Sequence, residues 1–299
     1  MYARTIAGLA FLAAFGVTQP VLAAPDWKAV AQALGKSGTE AKGGVYRVGL
    51  PRSDLKVTLD GVELKPALAL GSWLAFKPMG DHDAMVMGDL VLTEPEIGPV
   101  MAKLIEGGIE VTALHNHLQR AQPATMYMHV LGHGDPEKLA TVLHSALRES
   151  ATPLSDASAG ATTGSTAIDL DISMVDQALG HKGKVSGGVY QVSIPRAETI
   201  KDSGTEVPEA MGTAIAINFQ PTGKDKAVIT GDLVLIASEV NPVLQALRVG
   251  GIEVTAVHNH MLDDEPRLFF MHFWADGDLE KLTQGLKMAL AKVHLRNGV

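Results

Sequence analysis

The sequence has no cysteine among its 299 residues. This absence excludes a disulfide framework, a thiolate metal site and a cysteine nucleophile, so any bound metal must use nitrogen and oxygen ligands. Positive charge is also scarce, because 25 lysines and arginines face 33 acidic residues and the formal net charge is −8. A nucleic-acid-binding protein needs a basic face that displaces counterions, so that class of function is excluded.

Long hydrophobic runs are missing as well. No stretch reaches the roughly 20 apolar residues that a transmembrane helix needs. The N-terminus combines a basic start at Arg4, a short apolar run and the small residues of "VLAA", which is typical of a secretory signal. The sequence therefore predicts a signal peptide over residues 1–24, cut after Ala23 or Ala24. We expect a periplasmic or secreted protein with no transmembrane anchor.

The sequence contains a tandem duplication of one domain. "GGVYRVGLPR" (43–52) recurs as "GGVYQVSIPR" (187–196), "GDLVL" (88–92) as "GDLVL" (231–235), and "GGIEVTALHNH" (107–117) as "GGIEVTAVHNH" (250–260). Small and polar residues, typical of a flexible linker, lie between the copies. The sequence predicts a first repeat domain over residues 25–148, a linker over 149–169 and a second repeat domain over 170–299.

The same order of elements is expected in each copy. "GGVYRVGL", "SWLAFKP" and "DAMVMGDLVLT" have the residues of strands, and "TLDGVEL" predicts a hairpin with an Asp-Gly turn. "KDSGTEV" predicts a looser turn in the second copy. Two helical patterns follow, one ending at Gly107 and one starting at Asp135 as N-cap. The fold class is therefore α+β: two tandem copies of a mainly antiparallel sheet with helices packed on one face.

Histidines give each copy its most distinctive feature. Side chains on a strand alternate between faces, so the first two histidines of each copy point the same way. A returning strand carries the third, and pairing it opposite one of the others would bring all three rings to one side. The six positions, three in each copy, are His115, His117, His129, His258, His260 and His272.

Three neutral imidazoles are a common ligand set for a divalent metal ion, so the sequence predicts one such site in each repeat. We expect zinc first, with manganese or iron as alternatives. A carboxylate could complete the set or act as acid/base, and the preferred pairs are Glu96 with Glu239 and Asp89 with Asp232. Glu110 and its counterpart Glu253 lie on the wrong face of their strands.

Structural interpretations stay open for all of these residues. The histidines could be hydrogen-bonded core side chains, Glu96 and Glu239 could complement a helix dipole, and Asp89 and Asp232 could shape a turn. Arg52 and Arg196 follow a proline in matching places, where an arginine binds an anion or forms a salt bridge.

The segments "GDLVL", "GIEVTALHNH", "PRLFFMHFW" and "GGVYRVGLPR" resemble the LppY/LpqO family of exported bacterial proteins of unassigned function. The resemblance covers both repeats and implies export, but no reaction. Named members are lipoproteins, whereas this chain has no cysteine for lipid attachment. The histidine spacing is also loosely similar to that of acetolactate decarboxylases, which hold a zinc-type ion. Cupins use a related triad, but the helices here argue against a pure β-barrel.

Two functions follow as hypotheses. The first is a metal-dependent hydrolase or lyase acting on a small substrate, with Glu96 or Glu239 as the acid/base group. The second is a non-catalytic protein that binds metal or an envelope ligand. The sequence leaves the substrate, the partner and the oligomeric state undetermined.

Overall fold

The computed structural model describes residues 25–80, 82–155 and 168–296. The predicted signal peptide over residues 1–24 lies outside the described residues, and so does most of the predicted linker. No helix within the described ranges is long and apolar enough to cross a bilayer.

The first repeat is a six-stranded sheet with helices. Its helices are α1 (Trp27–Leu34), α2 (Pro66–Ala69), α3 (Glu94–Glu106) and α4 (Pro136–Leu147). Its strands are β1 (Thr39–Ala41), β2 (Val45–Pro51), β3 (Thr58–Leu59), β4 (Val62–Glu63), β5 (Gly71–Pro78), β6 (Ala84–Thr93), β7 (Glu110–His115) and β8 (Thr125–Gly134). The sheet runs β1-β2-β5-β6-β8-β7, and every neighbouring pair is antiparallel.

The second repeat has the same plan. Its helices are α5 (Ile172–Leu179), α6 (Ala237–Val249) and α7 (Leu279–Leu290). Its strands are β9 (Lys184–Ser186), β10 (Val189–Ile194), β11 (Lys201–Asp202), β12 (Thr205–Glu206), β13 (Ile215–Gly223), β14 (Lys226–Ile236), β15 (Glu253–His258), β16 (Asp264–Glu265) and β17 (Leu268–Asp278). The sheet order β9-β10-β13-β14-β17-β15 matches that of the first repeat, so the predicted duplicated α+β fold is confirmed.

Local sequence explains where the elements begin and turn. Asp135 caps α4 by accepting a hydrogen bond from the Lys138 amide, as the Asp-Pro pair predicts. The β3–β4 hairpin turns through Asp60 and Gly61, both at positive φ, which a two-residue type I′ turn requires. Ser203 and Gly204 have nearly the same φ values between β11 and β12. The prediction of a looser second turn is therefore wrong.

Each sheet has one face covered by its helices. In the first repeat Val48, Leu74, Val86 and Val130 form a buried cluster with residues of α1, α3 and α4. We call the opposite side of each sheet its inner face. Alternation along the strands puts Met85, Met87, Asp89 and Val91 of β6 there, together with Tyr127, His129 and Leu131 of β8.

The two inner faces pack against each other. Met87 and Leu131 of the first repeat join a core cluster made mostly of second-repeat residues, and Val91 and Tyr127 share another with Val228. Hydrogen bonds cross the same boundary, for example Asn218 Nδ2 to Leu68 O at 2.9 Å. The layers are therefore helices, sheet, sheet and helices, and the boundary between the repeats is a protein core rather than a hinge.

A substitution at Gly231 would test how closely β13 and β14 approach each other beside Asp232. A Cβ atom at this position would lie 2.1 Å from the Ala216 carbonyl oxygen and 3.0 Å from the Phe273 ring. We expect Gly231→Ala to lower the free energy of unfolding by about 1–3 kcal/mol, since overpacking a core costs this much. Denaturant titration would measure it. Gly223→Ala is the matched control, because a Cβ atom there meets nothing within 4 Å.

Candidate metal centre

Strand register brings a histidine and an aspartate together in each repeat. His129 lies directly opposite Asp89 of β6 and opposite Ala113 of β7. The expectation that His115 or His117 faces His129 is therefore corrected. His115 pairs with Tyr127, so it lies diagonally from His129 on the same face. The second repeat repeats this arrangement, with His272 opposite Asp232 and Ala256, and His258 opposite Phe270.

The middle histidine of each copy lies just beyond the strand. β7 ends at His115, and the His117 ring turns back to stack on Tyr127 with 3.4 Å between ring centroids. His260 stacks on Phe270 at the same distance. Aromatic neighbours on β8 and β17 therefore set the direction of these two imidazoles. The strand-pairing argument from sequence did not include this contact.

The six histidines form one cluster that crosses the boundary between the repeats. Three ring pairs, each with one member from each repeat, have centroids within 3.5–3.6 Å: His115 with His258, His117 with His272, and His129 with His260. Exchanging the two repeats maps the first pair onto itself and swaps the other two. The cluster thus has approximate twofold symmetry, and the axis passes between His115 and His258.

The prediction of a separate three-histidine site in each repeat is corrected by this arrangement. Two of the four groups of potential ligands contain histidines from both repeats. Each of the other two contains two histidines and the aspartate of a single repeat. In each group the ligand atoms lie within 4.8 Å of one another. The groups are His115/His117/His258/His272, His115/His129/His260, Asp89/His117/His129 and Asp232/His260/His272.

Nine of the ring nitrogens and carboxylate oxygens of this cluster are buried without hydrogen-bond partners. Buried polar atoms in native proteins are almost always paired, so an unpaired set calls for a missing water or ion. The atoms are Nε2 of all six histidines, Nδ1 of His115, and Oδ1 of Asp89 and Asp232. Their number and mutual proximity mean that the cluster could hold a metal ion.

Hydrogen bonds on the far side of two rings define which nitrogen faces the cluster. His272 Nδ1 lies 2.9 Å from Gly231 O, and His258 Nδ1 lies 3.1 Å from Asn259 O. A carbonyl accepts only from N–H, so Nδ1 carries the proton and Nε2 presents a lone pair to the cluster. Metal-ligating histidines are commonly oriented in this way.

The aspartates lie at a separation that suits shared ligation. Asp89 Oδ1 is 3.9 Å from His129 Nε2, and Asp232 is 3.7 Å from Nε2 of both His260 and His272. These distances are too long for hydrogen bonds. Two ligand atoms each about 2.0–2.2 Å from one ion lie up to about 4 Å apart, so they fit a cation placed between them.

Burial shifts these groups toward their uncharged forms. It lowers the pKa of His115 to about 3, together with repulsion from His258, and the pKa of His258 to about 4. The other four imidazoles have pKa values well below the usual one, for the same reasons. Burial also raises the pKa of Asp89 to about 8 and that of Asp232 well above its usual value. Neutral imidazoles are the metal-binding form, and a divalent cation would supply the counter-charge that the carboxylates lack.

Access to the cluster is limited. His117, His129, His260 and His272 are only 3–8% exposed, whereas His115 and His258 are half-buried. A cavity of about 10 Å³ touches His129 and His260, which is room for about one water molecule. A larger groove of about 590 Å³, beside Arg196 and Glu209, contains none of the six clustered histidines.

The structure gives Glu96 and Glu239 different partners from those expected of an acid/base group. Glu96 accepts two hydrogen bonds from Arg52 and one each from the Thr93 and Ala151 amides. Burial alone would raise its pKa, but these donors outweigh burial and the pKa of Glu96 is lowered. Among the described residues, neither glutamate belongs to a group of potential metal ligands. Asp89 and Asp232 are the carboxylates that join the histidines.

Arg196 and Glu239 repeat the same network. Arg196 donates to Glu239 at 2.7 and 3.2 Å and to the Val234 carbonyl at 2.7 Å, while the His294 amide donates to Glu239. Both arginines are therefore salt-bridged, as one of the two interpretations of the Pro-Arg pair predicts. They connect the end of a core strand to the start of α3 or α6.

Comparison with known proteins identifies a family but no activity. A family model described as a domain of unknown function (DUF1259) matches residues 28–149 and again residues 173–292. No curated protein matches significantly. The trimeric bacterial microcompartment shell protein PduB is 11% identical, with TM-score 0.23, over 88% of this chain and 96% of that one. EtuB from Clostridium kluyveri is 10% identical, with TM-score 0.19, over 86% and 90%. At such TM-scores neither structure carries an argument.

The buried ion pair provides a stability test. Arg196 and Glu239 have side chains only 1% and 8% exposed. We expect Arg196→Met to lower the free energy of unfolding by about 3–5 kcal/mol, because it leaves a buried carboxylate without its partner. Lys103→Met removes an exposed ion pair with Glu106 and should change stability little. Equal effects of the two substitutions in denaturant titrations would contradict the structural role.

Proposed function

The chain belongs to the DUF1259 family, with two copies of its domain, and we propose that it is a metal-binding protein with one centre shared between the repeats. The main support for this proposal is the set of buried, unpaired imidazole nitrogens and carboxylate oxygens that converge from both inner faces. Such a set has no stable arrangement without a counter-charge or a donor. A divalent ion provides the counter-charge and, in place of a hydrogen-bond donor, binds the lone pairs of the imidazole nitrogens and carboxylate oxygens.

The donor sets indicate two ions. Asp89, His117 and His129 form one group, and twofold symmetry relates it to Asp232, His260 and His272. We call these the first and second half-sites. His115 and His258 stack at the symmetry axis and belong to the other groups of potential ligands, which combine both repeats. Each ion would then have two imidazoles and one carboxylate from its half-site, and zinc accepts such a three-ligand set with its fourth position open.

Zinc is the first choice of metal, with manganese or iron as alternatives. Imidazole and carboxylate donors suit first-row divalent ions, while the absence of cysteine removes the thiolates that favour soft ions. We place the protein in the periplasm or outside the cell because of its signal-like N-terminus. The resemblance to the LppY/LpqO family agrees with export and stays a prediction.

A second candidate function is that of a metal-dependent hydrolase or lyase acting on a small substrate. The cavity beside His129 and His260 favours it, since its volume of about 10 Å³ suits a single water molecule. A water bound to a divalent ion becomes a nucleophile near neutral pH. Any substrate would have to enter past the half-buried His115 and His258, because the cavity itself has no room for one. A metal-binding role without catalysis remains the better-supported function.

Metal content tests the main proposal. Protein purified without a metal-affinity tag should contain about two equivalents of divalent metal per chain by elemental analysis. The double variant His117→Ala plus His260→Ala removes one ligand from each half-site and should lose most of this metal. The matched control is His82→Ala plus His294→Ala, which removes two exposed histidines outside the cluster and should keep it. Circular dichroism would verify that each variant is folded.

A negative result would be clear. Wild-type protein without bound metal, with a melting temperature unchanged by added zinc or by a chelator, would contradict the proposal. Binding to the native state alone must raise the melting temperature, since saturation at 100 times Kd contributes about 2.7 kcal/mol.

Cobalt substitution separates the two candidate functions. Cobalt(II)-loaded protein has a visible spectrum that reports coordination, and azide is a small anion that can replace a bound water. If an ion keeps an exchangeable position, as catalysis requires, azide should shift the spectrum. An unchanged spectrum at saturating azide would contradict the hydrolase or lyase function and leave the binding function intact.

A further inference from the structure

We propose that the two half-sites bind their ions with unequal affinity, and that Arg47 is the residue that weakens the first one. The inference rests on the proposed metal-binding function and adds an order of filling to it. The second half-site, with Asp232, His260 and His272, would fill first. The first half-site, with Asp89, His117 and His129, would fill only at higher metal concentration.

Arg47 is held on the inner face of the first repeat. Its guanidinium lies 4.1 Å from the centroid of the Trp73 ring, and its Nη1 donates to the Ala210 carbonyl of the second repeat. Trp73 is the residue of β5 that pairs directly with Asp89 of β6. The cation is therefore fixed by stacking and by a hydrogen bond across the repeat boundary, on the side of the cluster where Asp89 lies.

Arg47 carries its charge at neutral pH. Burial lowers its pKa to about 10, and the attraction of Asp89 acts in the opposite direction. The two groups interact electrostatically although no hydrogen bond joins them. Because Asp89 is buried and Arg47 is partly buried, the field of the arginine at the first half-site is screened less than it would be at the surface.

Among the residues that the structure describes, no cation takes the matching place beside the second half-site. The aligned segments "GGVYRVGLPR" and "GGVYQVSIPR" place Gln191 where the first repeat has Arg47. Gln191 is neutral and donates its amide to the Ala67 carbonyl at 2.8 Å. The counterpart of Trp73 is Ala216, which pairs with Asp232. The donor atoms of the half-sites match, but the charge beside them does not.

The direction of the effect does not depend on the protonation of Asp89. If the carboxylate is ionised, a divalent ion adds two positive charges to the half-site. If the carboxyl group is protonated, the ion displaces one proton and the net gain is one positive charge. The local charge becomes more positive in both cases, so a fixed cation opposes binding in both. At the second half-site the same gain of positive charge is not opposed, because Gln191 is neutral.

Single half-site variants allow each affinity to be measured alone. Asp232→Asn leaves the first half-site intact, and Asp89→Asn leaves the second intact. Zinc affinity of the metal-free proteins would be measured by competition with a chromophoric chelator. We expect the Asp89→Asn protein to bind zinc at least about tenfold more tightly than the Asp232→Asn protein, since one weakly screened charge beside a buried site readily produces such a factor.

Arg47→Gln then tests the cause, since glutamine is the residue that the second repeat has at this position. In the Asp232→Asn background it should tighten zinc binding about tenfold, and in the Asp89→Asn background it should change binding less than threefold. Arg47→Lys keeps the charge and should not reproduce the gain. Gln191→Arg is the reciprocal test and should weaken zinc binding in the Asp89→Asn background.

The outcomes distinguish this inference from the function on which it rests. Equal zinc affinities of the two half-site variants, with no response to Arg47→Gln, would overturn the inference and leave a metal-binding protein with equivalent sites. A gain with Arg47→Lys as large as with Arg47→Gln would also overturn it, because packing rather than charge would then be responsible. Absence of zinc binding in the folded wild-type protein would overturn the proposed function itself.

Discussion

Burial of polar donors between two apolar sheet faces is the constraint on which this structure depends. Each inner face contributes three imidazoles and one carboxylate to a core that otherwise consists of residues such as Met87, Val91 and Val228. A polar atom transferred from water to such a place without a partner costs free energy comparable to a lost hydrogen bond or more. Nine ring nitrogens and carboxylate oxygens of the cluster are buried without a partner in the protein, so docking of the two repeats places uncompensated polar atoms in the core.

Duplication explains how so crowded a centre can form from a simple plan. One repeat places its histidines on the inner face but has no group that combines all three of His115, His117 and His129. The second repeat, related by the approximate twofold axis, adds a ring against each of the first three. The site is therefore a property of the pair of domains, and a single copy would expose its largely apolar inner face to solvent.

Sequence reasoning predicted the parts that depend on local patterns. Alternation in the strands, the Asp135 N-cap and the matched segments of the two copies were sufficient for the α+β fold and for placing the histidines on one face. The arrangement between repeats was beyond those patterns, because periodicity says which side of a sheet is apolar but not what covers it. The sequence also could not choose between Glu96 and Asp89. Only the packing of Arg52 against Glu96 shows that one carboxylate is already satisfied and the other is not.

The two copies share the residues that build the cluster but differ in residues around it. The donors keep their places in both halves, and so do the arginine–glutamate pairs that hold strand to helix. Differences appear in what surrounds the donors: Trp73 and Arg47 in one half, Ala216 and Gln191 in the other. Such neighbours leave the ligand set unchanged, yet under the proposed function they would alter the field in which an ion binds. A duplicated centre can thus keep one coordination chemistry while its two halves acquire different affinities, because affinity responds to charges that never touch the metal.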